Sequence, residues 1–299
     1  MHLLRSCLLT PRKLRFRAKF KCSAAGLTNG VQHVTNLLST FTSGEPVRGD
    51  LILIHAFPLD HRLWQHLLDN PPDGFRVIAM DLPGFGSSPI DVIGGRDGYD
   101  MGAVAELIAS TARSHGIERA VFGGCSMGGY ACFAVLSAFP EMVSGLLLSD
   151  TRASADSDAA REGRMAVIEA VERLGISAVA SSMPSRLLGE TTLSTNPELV
   201  EKIRSIITDQ NPDAVIGALA AMARRRDSSD LLGGIDVPTT VVVGSEDALV
   251  TTDEAETLAS AISGCELEVL DAVGHLPALE APGEFAVIVK QLLERVSSP

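Results

Sequence analysis

The sequence predicts an α/β fold in which a mostly parallel sheet is wrapped by helices and interrupted once by a wholly helical stretch. Three observations carry that reading. Short apolar runs alternate with longer helical patterns along most of the chain. Several of these runs are continuously apolar, as strands covered on both faces are. The alternation stops between Thr151 and about Leu232, where no strand pattern occurs.

The strand candidates are Leu51–His55, Arg76–Met80, Ala120–Cys125, Gly145–Ser149, Thr239–Val243 and Glu266–Leu270. Helical patterns fall near Asp60–Asn70, Met101–His115, Gly128–Phe139, Asp253–Ile262 and Glu284–Val296, with Pro140 ending the third. The interrupting stretch carries four more: Ala159–Leu174, Ser177–Leu188, Pro197–Thr208 and Pro212–Arg225. Asn196-Pro197 and Asn211-Pro212 each pair an N-cap residue with a proline suited to a first helical turn. Arg224-Arg225-Arg226 is expected to be a solvated cap at a helix C-terminus.

Charge is unevenly placed along the 299 residues. No acidic residue precedes Glu45, whereas Arg5, Arg12, Lys13, Arg15, Arg17, Lys19 and Lys21 all do. The remaining 18 basic residues face 37 acidic ones, a balance that repels a phosphate backbone and argues against nucleic-acid binding. Residues 1–40 therefore read as an N-terminal extension, either disordered or a targeting segment for organelle import, with a start site assigned too far upstream as the alternative. No apolar run is long enough for a membrane span, and a cytoplasmic location is expected. The five cysteines (Cys7, Cys22, Cys125, Cys132, Cys265) lack metal-ligand spacing, which fits free thiols in a reducing compartment.

The strongest local motif is Gly124-Cys125-Ser126-Met127-Gly128-Gly129, placed between a strand and a helix. A serine on so sharp a turn needs small neighbours two residues away on either side. In return its hydroxyl is exposed beside a helix N-terminus. A serine hydroxyl attacks well only when a base takes its proton. Six of the seven histidines precede Ser126, and His275 alone follows it, just after the last strand candidate. The carboxylate that orients such a base is expected at a strand's carboxyl end. Asp247 in Gly244-Ser245-Glu246-Asp247 is the first candidate, Glu246 its fallback, and Asp150 a second location on the same edge. The backbone N–H groups of Met127 and Phe57, the latter in His55-Ala56-Phe57-Pro58, are the candidate oxyanion donors. His55, Trp64 and Phe85 are expected around the substrate pocket. No phosphate-binding loop, dinucleotide fingerprint or zinc helix is present, so no metal or organic cofactor is implied.

These motifs, together with Asp81 to Ser88 and Gly274-His275, resemble the α/β-hydrolase superfamily over about residues 48 to 296. Within it, His55 to Asp60 and Ser149-Asp150-Thr151-Arg152-Ala153 are similar to small bacterial hydrolases of the 3-oxoadipate enol-lactonase group. The resemblance implies an α/β-hydrolase core over 41–150 and 233–299, with a helical cap, 151–232, inserted after the sixth strand. It also implies cleavage of an ester, lactone or related acyl bond in a small-molecule substrate through an acyl-enzyme. The chain has Ala56 where that family usually has Gly. Ser126 stands in place of a nucleophilic Asp, which argues against dehalogenase and epoxide-hydrolase chemistry. A cofactor-free perhydrolase or C–C hydrolase using the same three residues, and a slow-turnover ligand receptor, are the alternatives.

Overall fold

The structure, a computed structural model, describes residues 37–297. Its centre is a seven-stranded sheet in the order β1-β3-β2-β4-β5-β6-β7. The strands are β1 (Thr40–Ser43), β2 (Gly49–Ile54), β3 (Phe75–Met80), β4 (Ala120–Cys125), β5 (Val143–Ser149), β6 (Thr239–Gly244) and β7 (Glu266–Leu270). All neighbouring pairs are parallel except β1 with β3. Every residue of β4 and β6 is buried, which is why both read as unbroken apolar runs.

The helices are α1 (Gln65–Asp69), α2 (Met101–Ser114), α3 (Met127–Ala138), α4 (Asp158–Leu174), α5 (Ser177–Ser182), α6 (Pro184–Leu187), α7 (Glu190–Thr195), α8 (Pro197–Thr208), α9 (Pro212–Arg224), α10 (Ser229–Leu232), α11 (Thr252–Ser260), α12 (Pro277–Glu280) and α13 (Pro282–Ser297). Helix α3 packs on β2, β4 and β5 with α2 against it, while α13 packs on β5 and α11 on β6 and β7. The two asparagine caps form as the sequence predicts. Asn196 accepts the Leu199 N–H at 3.1 Å and Asn211 the Asp213 N–H at 2.8 Å.

Five differences from the sequence expectation have physical causes. The strand Thr40–Ser43 has no sequence counterpart, because a four-residue, half-exposed edge strand carries too little apolar pattern to register. With Leu38 only 5% exposed, the folded body begins before residue 41; the basic segment ahead of it lies outside the described residues. Among the described residues the helical stretch enters after β5, the fifth strand in chain order and not the sixth, because one strand and not two precedes β2. The pattern Ser177–Leu188 is broken at Pro184, which opens α6.

A fifth difference concerns the arginine run. Arg225 is 8% exposed. It donates to Asp156 at 2.9 Å, donates to the Ser154 carbonyl, and sits 3.9 Å above the Tyr130 ring. Its neighbours behave differently: Arg224 donates to the Tyr99 carbonyl and Arg226 is exposed. A charged run reads as solvated when its partner, Asp156, lies some 70 residues away. Arg164 of α4 binds the same carboxylate, so Asp156 ties α4 to the end of α9. Breaking such a pair strands a buried charge. Arg225→Ala is therefore expected to destabilise the protein by about 3–5 kcal/mol in urea unfolding. Arg226→Ala should stay within about 0.5 kcal/mol of the parent.

Candidate active site

The register of the central strands brings distant residues to one edge. Cys125 pairs with Ser149, and Ser149 with Val242, so the chain leaves β4, β5 and β6 side by side at their carboxyl ends. Ser126, Asp150 and Asp247 emerge there, and His275 follows β7 on the same edge. Open α/β sheets place their sites along such an edge.

Ser126 caps α3 with φ +53° and ψ −111°, a conformation that few residues with a side chain adopt. Its neighbours allow it. A Cβ on Gly124 would lie 2.2 Å from the Gly128 carbonyl, and one on Gly128 would lie 2.1 Å from the Ile54 oxygen. Three bonds hold the turn. The Ser126 N–H donates to the Ser149 carbonyl at 2.9 Å, while its own carbonyl accepts the Thr151 hydroxyl at 2.8 Å and the Gly129 N–H at 2.9 Å.

His275 is buried, with Nδ1 2.7 Å from Asp247 Oδ2. Asp247 takes the Leu249 N–H on its other oxygen at 2.7 Å, and its side chain is fully buried. With Nδ1 committed to the carboxylate, Nε2 is the free face of the ring. It is buried and has no hydrogen-bond partner. Ser126 and His275 border one cavity of about 350 Å³, which Phe57 also lines. Among the described residues neither the Phe57 nor the Met127 backbone N–H has a hydrogen-bond acceptor.

Helices of the insertion close the cavity: α4 contributes Val167 and Arg164, and α9 contributes Leu219 and Met222. Two tethers fix the end of α8 to the core. Gln210 donates to Asp60 at 2.9 Å and accepts the Gly86 N–H at 2.9 Å, and Arg62 pairs with Asp209 at 2.9 Å.

Other expected site residues lie elsewhere. Glu246 binds the Thr191 N–H and hydroxyl at 2.8 and 2.6 Å, bonds that hold its carboxyl below the usual range and away from His275. His55, Trp64 and Phe85 do not line the cavity. The Trp64 ring packs toward Phe285, centroids 5.9 Å apart, and Phe85 packs against His55 and Phe57. An apolar side chain near a strand end reads alike whether it faces a pocket or the core. Conversely, sequence reasoning missed Arg152, Arg164 and Arg186 as cavity residues. Their positions depend on how the inserted helices pack, which no local pattern encodes. Asp60, His61 and Asp81 place ligand-type atoms within 4.8 Å of one another. A cation there would have to displace Arg62 and Gln210 from Asp60, and His61 and Ser87 from Asp81.

A helix-capped serine at a strained turn, a buried histidine–carboxylate pair and two unbonded amides on an α/β sheet edge define a class, the α/β-hydrolases. The chain belongs to the α/β hydrolase fold family, whose model matches residues 51–282. It is 25% identical to 3-oxoadipate enol-lactonase 2 of Acinetobacter baylyi, across 86% of this chain and 93% of that protein. It is 29% identical to a pimeloyl-[acyl-carrier protein] methyl ester esterase of Yersinia pseudotuberculosis, across 82% and 93%. Among solved structures it resembles a malate-bound thermophilic esterase of Thermogutta terrifontis, with 37% identity, a TM-score of 0.80 and coverage of 87% and 94%.

His55 supports the loop that carries Phe57. Its Nε2 accepts the Leu82 N–H at 2.9 Å while Nδ1 donates to the Ala56 carbonyl at 3.0 Å, so the ring is neutral. Burial lowers its pKa below 6.5. On acidification the unfolded chain binds a proton near 6.5 that the folded chain refuses, so stability is retained above that pH and lost below it. Urea midpoints at pH 8 and 5.5 are expected to show this loss, and His55→Gln to reduce it by on the order of 1 kcal/mol.

Proposed function

We propose that the protein hydrolyses carboxylic ester or lactone bonds through an acyl-enzyme on Ser126. His275 acts as the base and Asp247 orients it. The observation that carries this reading is the His275 ring: Nδ1 is fixed to Asp247 at 2.7 Å, and the unpartnered Nε2 belongs to a residue that shares a cavity with Ser126.

In the first half of the reaction the Ser126 hydroxyl attacks the substrate carbonyl while Nε2 takes its proton. Asp247 stabilises the imidazolium that results. The developing oxyanion accepts hydrogen bonds from the Met127 and Phe57 amides, donors whose positions need no rearrangement as charge appears. His275 returns the proton to the departing alkoxide. In the second half it deprotonates a water molecule that releases the acid and restores Ser126. For a lactone, the alkoxide and the acyl group stay on one product. The inserted helices act as a cap that shapes the pocket and limits water. The similarity to an enol-lactonase and to a methyl ester esterase supports this bond type.

The cavity also favours a particular substrate charge. Among the described residues Asp156 is the one acidic side chain lining it, against Arg152, Arg164 and Arg186. Asp156 is shared by Arg164 and Arg225, and Glu254 pairs with Arg152 at 3.3 Å. Arg186, on α6, has no ion-pair partner among the described residues. A substrate carrying a carboxylate away from the scissile bond meets this excess positive charge.

Hydrolysis of 4-nitrophenyl acetate tests the chemistry: Ser126→Ala is expected to lose at least about 10³-fold in kcat. Equal turnover by parent and variant would refute the mechanism. A carboxylate-tailed ester such as 4-nitrophenyl hemisuccinate is expected to exceed the acetate in kcat/KM. Arg186→Gln should erase about tenfold of that preference, the size of one charge-assisted hydrogen bond.

A further inference from the structure

The mechanism above leaves unused a buried carboxyl that stands beside Asp247. Asp150 ends β5 next to the strand that carries Asp247, and it is 1% exposed. Its Oδ1 accepts the Gly244 N–H at 3.0 Å and its Oδ2 the Ser149 hydroxyl at 2.6 Å. Asp150, Asp247 and His275 each place a carboxylate oxygen or ring nitrogen within 4.8 Å of the other two. Both aspartate side chains are buried.

Two ionised carboxylates so close in a dry interior repel, and a proton held by one of them and donated to the other replaces that repulsion with a hydrogen bond. Asp247 is the poorer home for it. Both its oxygens receive N–H donors at 2.7 Å, from His275 and Leu249, and such donors favour the ionised form. Asp150 receives a single N–H and a serine hydroxyl that can rotate to accept.

We propose, resting on the Ser126–His275–Asp247 reading, that Asp150 is a positioning residue: a neutral acid that donates to Asp247, steadies that carboxylate against His275 and keeps the pair at one negative charge. Its surroundings agree. Burial first, and then the charge on Asp247, raise the Asp150 carboxyl well above the usual range. The remaining titratable neighbours are Cys125, whose thiol burial and Asp150 push up, and Glu280 of α12, which acts on the same thiol. The single charge matters for catalysis. Two negative charges behind His275 would hold a proton on the ring at neutral pH and take the base out of action.

The position itself permits a clean substitution. Asp150 has φ +47°, in the left-handed region that Asp and Asn both tolerate, so Asp150→Asn keeps the backbone and an N–H donor toward Asp247. The experiment compares wild type, Asp150→Asn, Asp150→Ala and Asp247→Asn by infrared spectroscopy and by the pH profile of 4-nitrophenyl ester hydrolysis. Wild type at neutral pH is expected to show a buried protonated-carboxyl band that Asp150→Asn lacks. Asp150→Ala should lose about tenfold in kcat, as when a group that orients a site ligand is removed. Asp150→Asn should restore most of that loss, with the acidic limb of kcat/KM within about half a pH unit of wild type.

Three results would overturn the proposal: no such band in wild type, a wild-type kcat in Asp150→Ala, or an acidic limb about one unit or more lower in Asp150→Asn, the mark of a lost charge. A wild-type kcat in Asp247→Asn would instead overturn the underlying reading. That outcome is told apart from failure of this proposal, which shows in the Asp150 variants while Asp247→Asn is inactive.

Discussion

The backbone of Ser126 sets the terms for everything around it. A residue held at φ +53° costs on the order of 1–3 kcal/mol and persists only where its surroundings over-determine it. Here the determinants come from two directions. Gly124 and Gly128 let β4, α3 and the end of β2 approach to distances no side chain would permit. Ser149 and Thr151, at the end of β5, hold the serine's own N–H and carbonyl. The same strand end delivers Asp150, so the turn that exposes the hydroxyl and the carboxyl behind Asp247 are parts of one piece of backbone.

Electrostatically the site opposes the rest of the chain. The sequence is acidic overall, with a formal charge of −12, yet the cavity wall is rich in guanidinium groups. Asp156 keeps Arg164 and Arg225 ordered: burial alone would raise its carboxyl, but the hydrogen bond from Arg164 and the nearby arginine charges hold it below the usual range. Behind the histidine the charge is negative and dry, because the Asp247 and Asp150 side chains are both out of contact with solvent. In a low-dielectric interior such fixed charges act far more strongly than they would in water. The arrangement separates the two signs, with negative charge behind His275 and guanidinium groups along the cavity wall.

Much of this was legible in the sequence, for identifiable reasons. Strands buried on both faces read as unbroken apolar runs; the elbow follows directly on one, Asp247 comes three residues after another, and His275 follows the alternating, half-exposed β7. Chain order placed Ser126 ahead of Asp247 and His275, and the structure brings the latter two into hydrogen-bond contact. Asp247 and Asp150 could not be separated by pattern, because β5 and β6 are parallel neighbours that end side by side. Only the fold shows that Asp247 reaches Nδ1 while Asp150 stands behind it. The cavity wall was the least legible part. Arg186 and Arg225 owe their roles to helix packing across long sequence separations, and Trp64 and Phe85 turned out to serve the core.

The proposed function stands or falls on acylation of the Ser126 oxygen during turnover. In the proposed mechanism deacylation also needs His275, so a His275→Ala variant challenged with an activated acetyl ester at high pH should accumulate any intermediate that forms. Peptide mass spectrometry is expected to find one acetyl group on the peptide containing Ser126, and none when Ser126 is also replaced by Ala. Acetylation found only at other side chains, or unchanged by removing Ser126, would contradict the account.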